Sequence, residues 1–259
     1  MPMIEFQEVT ISFQDKCVLD QISFKVHFYE KVAILGGSGT GKTTLLKLIV
    51  GLILPDSGRI LIDNQDITKS SEDELRKIRK KFSIVFQEGA LFDSLNVMEN
   101  VAFLLREYTN LSTKEIEKKV WELLKRLGIE ETLYIIPDKL SGGMQRRVAI
   151  ARSLVSHEPE IILYDEPTTG LDPITSDNIC DLINELSKVN TPHKKGLIIV
   201  THKVTDAAKV AERFMYLKAN KIAFDGNLEA LRKTDDKELQ EFIKELKCIT
   251  IGNNSPGQN

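Results

Sequence analysis

The chain has 259 residues, of which 42% are apolar and 28% charged, and its formal net charge is −3. That is the balance of a soluble globular protein, with length for one large α/β domain or one domain carrying a sub-domain. It excludes the basic footprint of a nucleic-acid-binding protein, and no run of about 18 apolar residues marks a bilayer span.

Short apolar runs alternate with helical patterns along the chain. Strands are predicted at 4–9, 22–26, 31–35, 59–62, 82–86, 161–164, 197–201, 214–217 and 221–224. The runs VAIL, SIVF, IILY and LIIV are apolar throughout, which points to strands covered on both faces in a parallel sheet. The early strands and the last two lack crossover helices between them, so antiparallel hairpins at an edge are expected. One helix is predicted to open at Lys42–Thr43, directly after a glycine-rich turn. A second covers about 113–127, with Ser112 and Glu115 spaced as a capping box and Gly128 just past its end. A third starts near Ser141 and runs through QRRVAIARSLV. The stretch 89–155 has helical signals and no convincing strand, so it reads as a helical sub-domain within a domain of 1–226. Residues 227–259 read as a C-terminal extension. In it DDKELQEFIKELK places Leu239, Phe242, Ile243 and Leu246 on one helical face, and the tail NNSPGQN is expected to be disordered. The opening residues carry no basic n-region and no apolar h-region, so no secretory signal is predicted. The scattered Cys17, Cys180 and Cys248 fit a reducing cytoplasm, with neither a disulfide framework nor a zinc site.

Three motifs carry chemistry. Residues 36–44 read GGSGTGKTT, a phosphate-binding loop with Gly36, Gly41, Lys42 and Thr43 at its fixed positions and Gly37, Ser38, Gly39, Thr40 and Thr44 completing it. Glycines let the backbone turn tightly and aim N–H groups at phosphate, and the helix that follows offers its positive end to the same anion. Lys42 is placed to reach the β- and γ-phosphates of ATP, and the Thr43 hydroxyl to bind Mg²⁺. This motif alone does not separate a kinase, a GTPase and a transport ATPase. Residues 161–166 read IILYDE, an apolar strand ending in two acids. Asp165 is expected in the Mg²⁺ shell, and Glu166 near the γ-phosphate, where it orients or deprotonates the attacking water. Taken alone, such a pair is more often a solvated strand end. Residues 140–144 read LSGGM at the start of a helix, a second anion-binding surface in one chain, which suggests a site shared between two chains.

With these motifs in this order, the chain resembles the nucleotide-binding subunits of ABC transporters, whose signature is LSGGQ; Met144 replaces the glutamine here. The resemblance covers roughly residues 4–226. It implies a P-loop NTPase, RecA-like core sheet with antiparallel edge strands and an inserted helical sub-domain. It also implies a dimer with a second copy, in which Ser141, Gly142, Gly143, Met144 and Asp172 of one chain complete the ATP site of the other. Phe13 stands where the family places an adenine-stacking aromatic, keeping the π-face of the usual tyrosine. Gln87 matches the Q-loop residue that senses Mg²⁺ and the attacking water. His202 matches the switch histidine that contacts the γ-phosphate. The wording of ALFDSLNVMENVAF, LSGGM and ILYDEPTTGLDPITSD is similar to the Mla-type, Mce-associated phospholipid-transport ATPases of double-membrane bacteria. Members of that group work peripherally at the cytoplasmic face of the inner membrane with an MlaE-like permease and a lipid-carrying, MlaD-like Mce protein. Ala90, Leu91, Phe92, Leu95 and Val97 then form either the groove for the permease's coupling helix or the sub-domain's own core. The C-terminal helix either contacts the second subunit or a small regulatory protein, or packs on its own domain. Two alternatives stay open: another cargo (organic solvent, amino acid or metal), or a non-transport ABC module of the cell-division kind.

Overall fold

The structure is a computed structural model and describes residues 2–155, 159–188, 195–244 and 246. Cys248 and the tail 253–259 lie outside the described residues. The chain divides into two compact units, Met1–Ser70 with Ile198–Asn259, and Ser71–Leu197. The first unit opens with β1 (Pro2–Phe13), β2 (Lys16–His27) and β3 (Lys31–Leu35), then α1 (Lys42–Ile49), β4 (Ser57–Ile62) and β5 (Gln65–Asp66). The second unit follows with α2 (Glu72–Arg79), β6 (Phe82–Val85), α3 (Val97–Tyr108), α4 (Thr113–Arg126) and α5 (Gly142–Leu154), and then β7 (Ile161–Asp165) and α6 (Pro173–Lys188). Strand β8 (Gly196–Thr201) returns the chain to the first unit, which ends with α7 (Val204–Val210), β9 (Arg213–Lys218), β10 (Lys221–Asn227), α8 (Leu228–Arg232) and α9 (Lys237–Phe242).

In the first unit an antiparallel sheet runs β2-β1-β4-β5, and Phe6 stacks on Phe24 with ring centroids 4.5 Å apart. A second set of strands runs β10-β9-β3-β8. Strand β3 lies parallel to β9 and β9 antiparallel to β10, as the missing crossover predicts. Residues 32–35 are buried without alternation, the mark of a strand covered on both faces. The strands β1 and β2 extend beyond the predicted ranges, and β5 was not predicted. The reason is local. Three hairpins close on two-residue turns, Gln14-Asp15, Asp63-Asn64 and Ala219-Asn220, with positive φ at both positions. These turns match the strand twist, but none contains the glycine that usually announces them.

In the second unit β6 and β7 pair in parallel, from Phe82 opposite Ile161 to Val85 opposite Tyr164. All elements between 89 and 155 are helical. Their starts are capped as the sequence dictates: Ser112 and Glu115 form the expected capping box, and Asn96 with Glu99 forms another at α3. The buried Asn100 side chain holds the segment before α3, donating to the Phe92, Leu95 and Asn96 carbonyls and accepting from Phe92 N–H at 2.8 Å. The C-terminal stripe packs on its own unit. Leu239, Ile243 and Leu246 are buried, Phe242 lies 5.2 Å from the Tyr216 ring, and Lys218 pairs with Asp236 and Glu238. No helix among the described residues is long and apolar enough to cross a membrane.

Strand β7 carries one misfit. The Tyr164 hydroxyl is wholly buried and has no hydrogen-bond partner among the described residues, and burial pushes its pKa up. An unmet buried hydroxyl costs about 1–3 kcal/mol, and its removal leaves the ring packing intact. Tyr164→Phe is therefore expected to raise the thermal midpoint by about 2–4 °C in a scanning-calorimetry trace. A lowered midpoint would show that the hydroxyl is satisfied in solution.

Candidate functional site

The phosphate loop is built by β3, residues 36–41 and α1. Gly41 precedes the helix with φ 98°, a conformation open to glycine. A Cβ there would also stand 2.8 Å from Val18 Cγ1, so β2 buttresses the loop. At Gly36 a Cβ would meet both Leu217 O and Thr40 Oγ1 at 2.8 Å. The Lys42 side chain folds back over the loop, and its Nζ donates to Gly36 O at 2.9 Å and Gly37 O at 2.8 Å. Thr40 Oγ1 donates to Gly37 O at 3.0 Å. Ser38 and Gly39 are exposed, and Thr43 and Thr44 lie half-buried in the first turn of α1. The loop is thus a rigid ring of backbone amides with an internal cation.

Two more predicted residues belong to the same unit. Phe13 ends β1 beside the Gln14-Asp15 turn, with 47% of its surface exposed, so its ring face is open for stacking. His202 follows the last residue of β8 and is exposed, whereas Thr201 before it is buried and accepts from Lys203 N–H.

The remaining residues belong to the second unit. Asp165 ends the wholly buried β7, and Asp165 and Glu166 are both buried. Glu166 has φ 46°, a left-handed conformation uncommon for a residue with a long side chain. The turn that enforces it is closed by Thr169 N–H donating to Glu166 O, and the Thr169 hydroxyl donates to Glu166 Oε2 at 3.0 Å. Thr169 is a site residue that sequence reasoning missed. Its role follows from the positive φ, which brings the hydroxyl back onto the carboxylate.

Ser141 caps α5, its Oγ accepting from Met144 N–H at 3.3 Å. Ser141 and Gly142 are exposed at that helix end. Crowding favours the glycines: a Cβ on Gly143 would lie 2.6 Å from Thr175 Cγ2, so that side chain would have to shift, and one on Gly142 would lie 3.0 Å from Leu171 Cδ2. The loop after β7 therefore presses on the start of α5. Asp172 has an intrachain task that its motif did not announce. Its Oδ1 accepts from Thr175 N–H at 3.0 Å at the start of α6, with Pro173 next to it. Hydrogen bonds from the Thr175 side chain and backbone hold its carboxyl below the usual range. Gln87 is exposed just past β6.

No group of three or more His, Cys, Asp or Glu side chains among the described residues is arranged as a metal cage. The available donors are hydroxyl and carboxylate oxygens. That set suits a hard cation completed by substrate phosphates and water better than a dedicated protein cage.

The ABC transporter family profile matches residues 19–169. The intermembrane phospholipid transport system ATP-binding protein MlaF of Escherichia coli K12 is 38% identical over 93% of this chain and 88% of its own length. The probable ribonucleotide transport ATP-binding protein mkl of Mycobacterium leprae is 37% identical over 97% of this chain and 72% of its own. A dimeric ATP-binding cassette, solved in a post-hydrolysis state bound to ADP and Pi, superposes with a TM-score of 0.78 at 35% identity. It covers 87% of this chain and 99% of its own.

Two outcomes test the geometry. Thr169→Val should lower kcat for ATP about 10–150-fold with nucleotide affinity unchanged, since a hydrogen bond to a charged group contributes about 1.5–3 kcal/mol. Gly143→Ala should depress activity through the Thr175 methyl. Adding Thr175→Ser, which deletes that methyl and keeps the hydroxyl, should restore it in steady-state assays. A double variant no better than Gly143→Ala would rule out the clash.

Proposed function

The chain belongs to the ABC transporter family as an ATP-hydrolysing subunit, and from that premise we propose that it powers phospholipid movement between the inner and outer membranes of a double-membrane bacterium. The observation that carries the cargo is the similarity to MlaF, which runs along 93% of the chain and is not confined to the nucleotide motifs. In this reading the protein sits peripherally at the cytoplasmic face of the inner membrane. It works with a second copy of itself, an MlaE-like permease and an MlaD-like Mce protein. The similarity to mkl, named for ribonucleotide transport, supports a second reading in which the same engine serves a nucleotide cargo.

The proposed mechanism is phosphoryl transfer to water. Two chains close on two ATP molecules, each held by the phosphate loop of one chain and the Ser141–Met144 helix end of the other. Phe13 stacks on adenine. Lys42 exchanges its Gly36 and Gly37 carbonyl acceptors for β- and γ-phosphate oxygens, and the amides of residues 37–44 surround the β-phosphate. Thr43 and Asp165 supply the hydroxyl and carboxylate that hold Mg²⁺, together with Gln87. Asp165 fits this role as a hard oxygen donor at the end of the buried strand β7. When bound, the ion neutralises charge that builds on the phosphate oxygens. Glu166, steadied by Thr169, accepts a proton as the water oxygen bonds to the γ-phosphorus and the bond to the bridging oxygen breaks, leaving ADP and phosphate. His202 contacts the γ-phosphate, and Asp172 adjoins the partner chain across the closed dimer. Catalysis is positioning plus charge neutralisation, with no covalent intermediate.

Glu166→Gln should retain ATP binding while turnover falls about 100-fold or more and a closed dimer accumulates on size-exclusion chromatography with ATP. Turnover at the parental rate would remove Glu166 from the reaction. Lys42→Ala should abolish nucleotide binding. The same Glu166→Gln chain, retrieved from detergent-solubilised membranes with ATP, should bring down a permease and a lipid-binding Mce protein. An unrelated permease would leave the ATPase standing and overturn the cargo.

A further inference from the structure

The backbone around Gln87 is held from outside by one helix. After β6 the chain leaves regular structure, and Gly89 and Ala90 both take positive φ, 68° and 48°. Carbonyls in such a stretch have no ladder to join. They are met by α5. Arg146 Nη1 donates to Phe86 O at 2.9 Å and also to Gln87 O. Two turns further on, Arg152 donates through Nη1 to Ala90 O and through Nη2 to Gly89 O, both at 2.7 Å. Between the two arginines Ala149 closes on the loop, and a Cβ at Gly89 would stand 3.3 Å from the Ala149 Cβ. Four carbonyls from residues 86–90 thus accept from two guanidinium groups on one helix, and the Phe86 carbonyl accepts from Gly89 N–H as well, at 2.9 Å.

Arg146 differs from Arg152 in where it acts. It is buried, and its Nε has no hydrogen-bond partner among the described residues. Its Nη1 donors go to the residue that carries the Q-loop side chain and to the residue before it. Burial works against its charge and the neighbouring Asp165 supports it. The guanidinium so ties the backbone of Gln87 to the helix that begins at Ser141.

We propose that Arg146 is a positioning residue for ATP hydrolysis: by pinning the Phe86 and Gln87 carbonyls to α5, it sets the direction in which the Gln87 side chain leaves the backbone. The inference rests on the role proposed for Gln87. A loop freed from this tie keeps the phosphate cradle, which is built from other elements, so nucleotide binding is spared. What is lost is the orientation of one side chain at the reacting end, and small misplacements there are costly.

The test uses the full chain, with nucleotide sites titrated so that kcat is expressed per site able to bind ATP. Arg146→Met keeps length and removes the donors. It should lower kcat per site at least about tenfold and leave KM for ATP within about twofold. Arg146→Lys, with one cationic donor head, should fall between parent and Met. Arg152→Met removes bonds of the same kind from carbonyls beyond Gln87, and should change kcat per site less than about threefold. A merely structural staple would lower the thermal midpoint and the number of competent sites in both Met variants and leave kcat per site alone. Parental kcat per site in Arg146→Met, or equal losses in the two Met variants, would overturn the proposal. If Arg146→Met does not fold, Arg146→Lys decides by the same criterion. Gln87→Ala separates the two layers of the argument. Parental turnover in that variant refutes the role of Gln87 and the route through it, whereas loss there with retention in Arg146→Met refutes the arginine alone.

Discussion

The phosphate handling proposed for this protein depends on two helix starts at which glycines replace side chains. Backbone amides bind an anion well only if nothing stands between them and it. At α1 the chain must turn through φ 98° at Gly41 while Val18 presses from behind, and both demands exclude a Cβ. At α5 the demand is steric alone. Thr175 and Leu171 crowd the first two helical residues, most closely at Gly143, where a Cβ would force Thr175 to shift. The same approach that disfavours a side chain couples the signature segment to the loop carrying Asp172, so a shift in one is felt by the other.

Within the second unit the chain places two carboxylates where water cannot reach them easily. Strand β7 is apolar from end to end, and Asp165 and Glu166 emerge from it still buried. Burial of an acid is unfavourable unless donors or cations meet it. Glu166 is met by the Thr169 hydroxyl across a left-handed turn, a local strain that the packing of β7 maintains. The geometry holds the Glu166 carboxylate in one direction. Lys42 is handled differently: its cation rests on two carbonyls of its own loop, acceptors that phosphate oxygens can replace with little rearrangement.

Much of the fold was legible because strands such as 31–35 and 161–164 are apolar without interruption and too short to be helices. The helix at 113 was legible because Ser112 and Glu115 cap it by purely local bonds. Hairpin ends were not. Gln14-Asp15 and Ala219-Asn220 adopt the left-handed turns that glycine normally signals, and there the strand pairing overrides the residue preference. The C-terminal stripe of Leu239, Ile243 and Leu246 was legible as a buried face, but not which surface would cover it; Tyr216 and Lys218 of β9 meet that segment.

The sequence by itself determined the family, the order of the elements and the residue types at the phosphate loop, because those rest on fixed spacings within a few residues of one another. Tertiary structure alone decided which residues support them. Thr169 reaches Glu166 only because a residue between strand and helix turns left-handed. Thr175 crowds Gly143 only because a later helix is packed against an earlier one. Arg146 holds Gln87 only because α5 lies along a loop 59 residues before it. Such contacts join positions whose separation in the chain carries no pattern, and the folded backbone is what brings them within hydrogen-bonding distance.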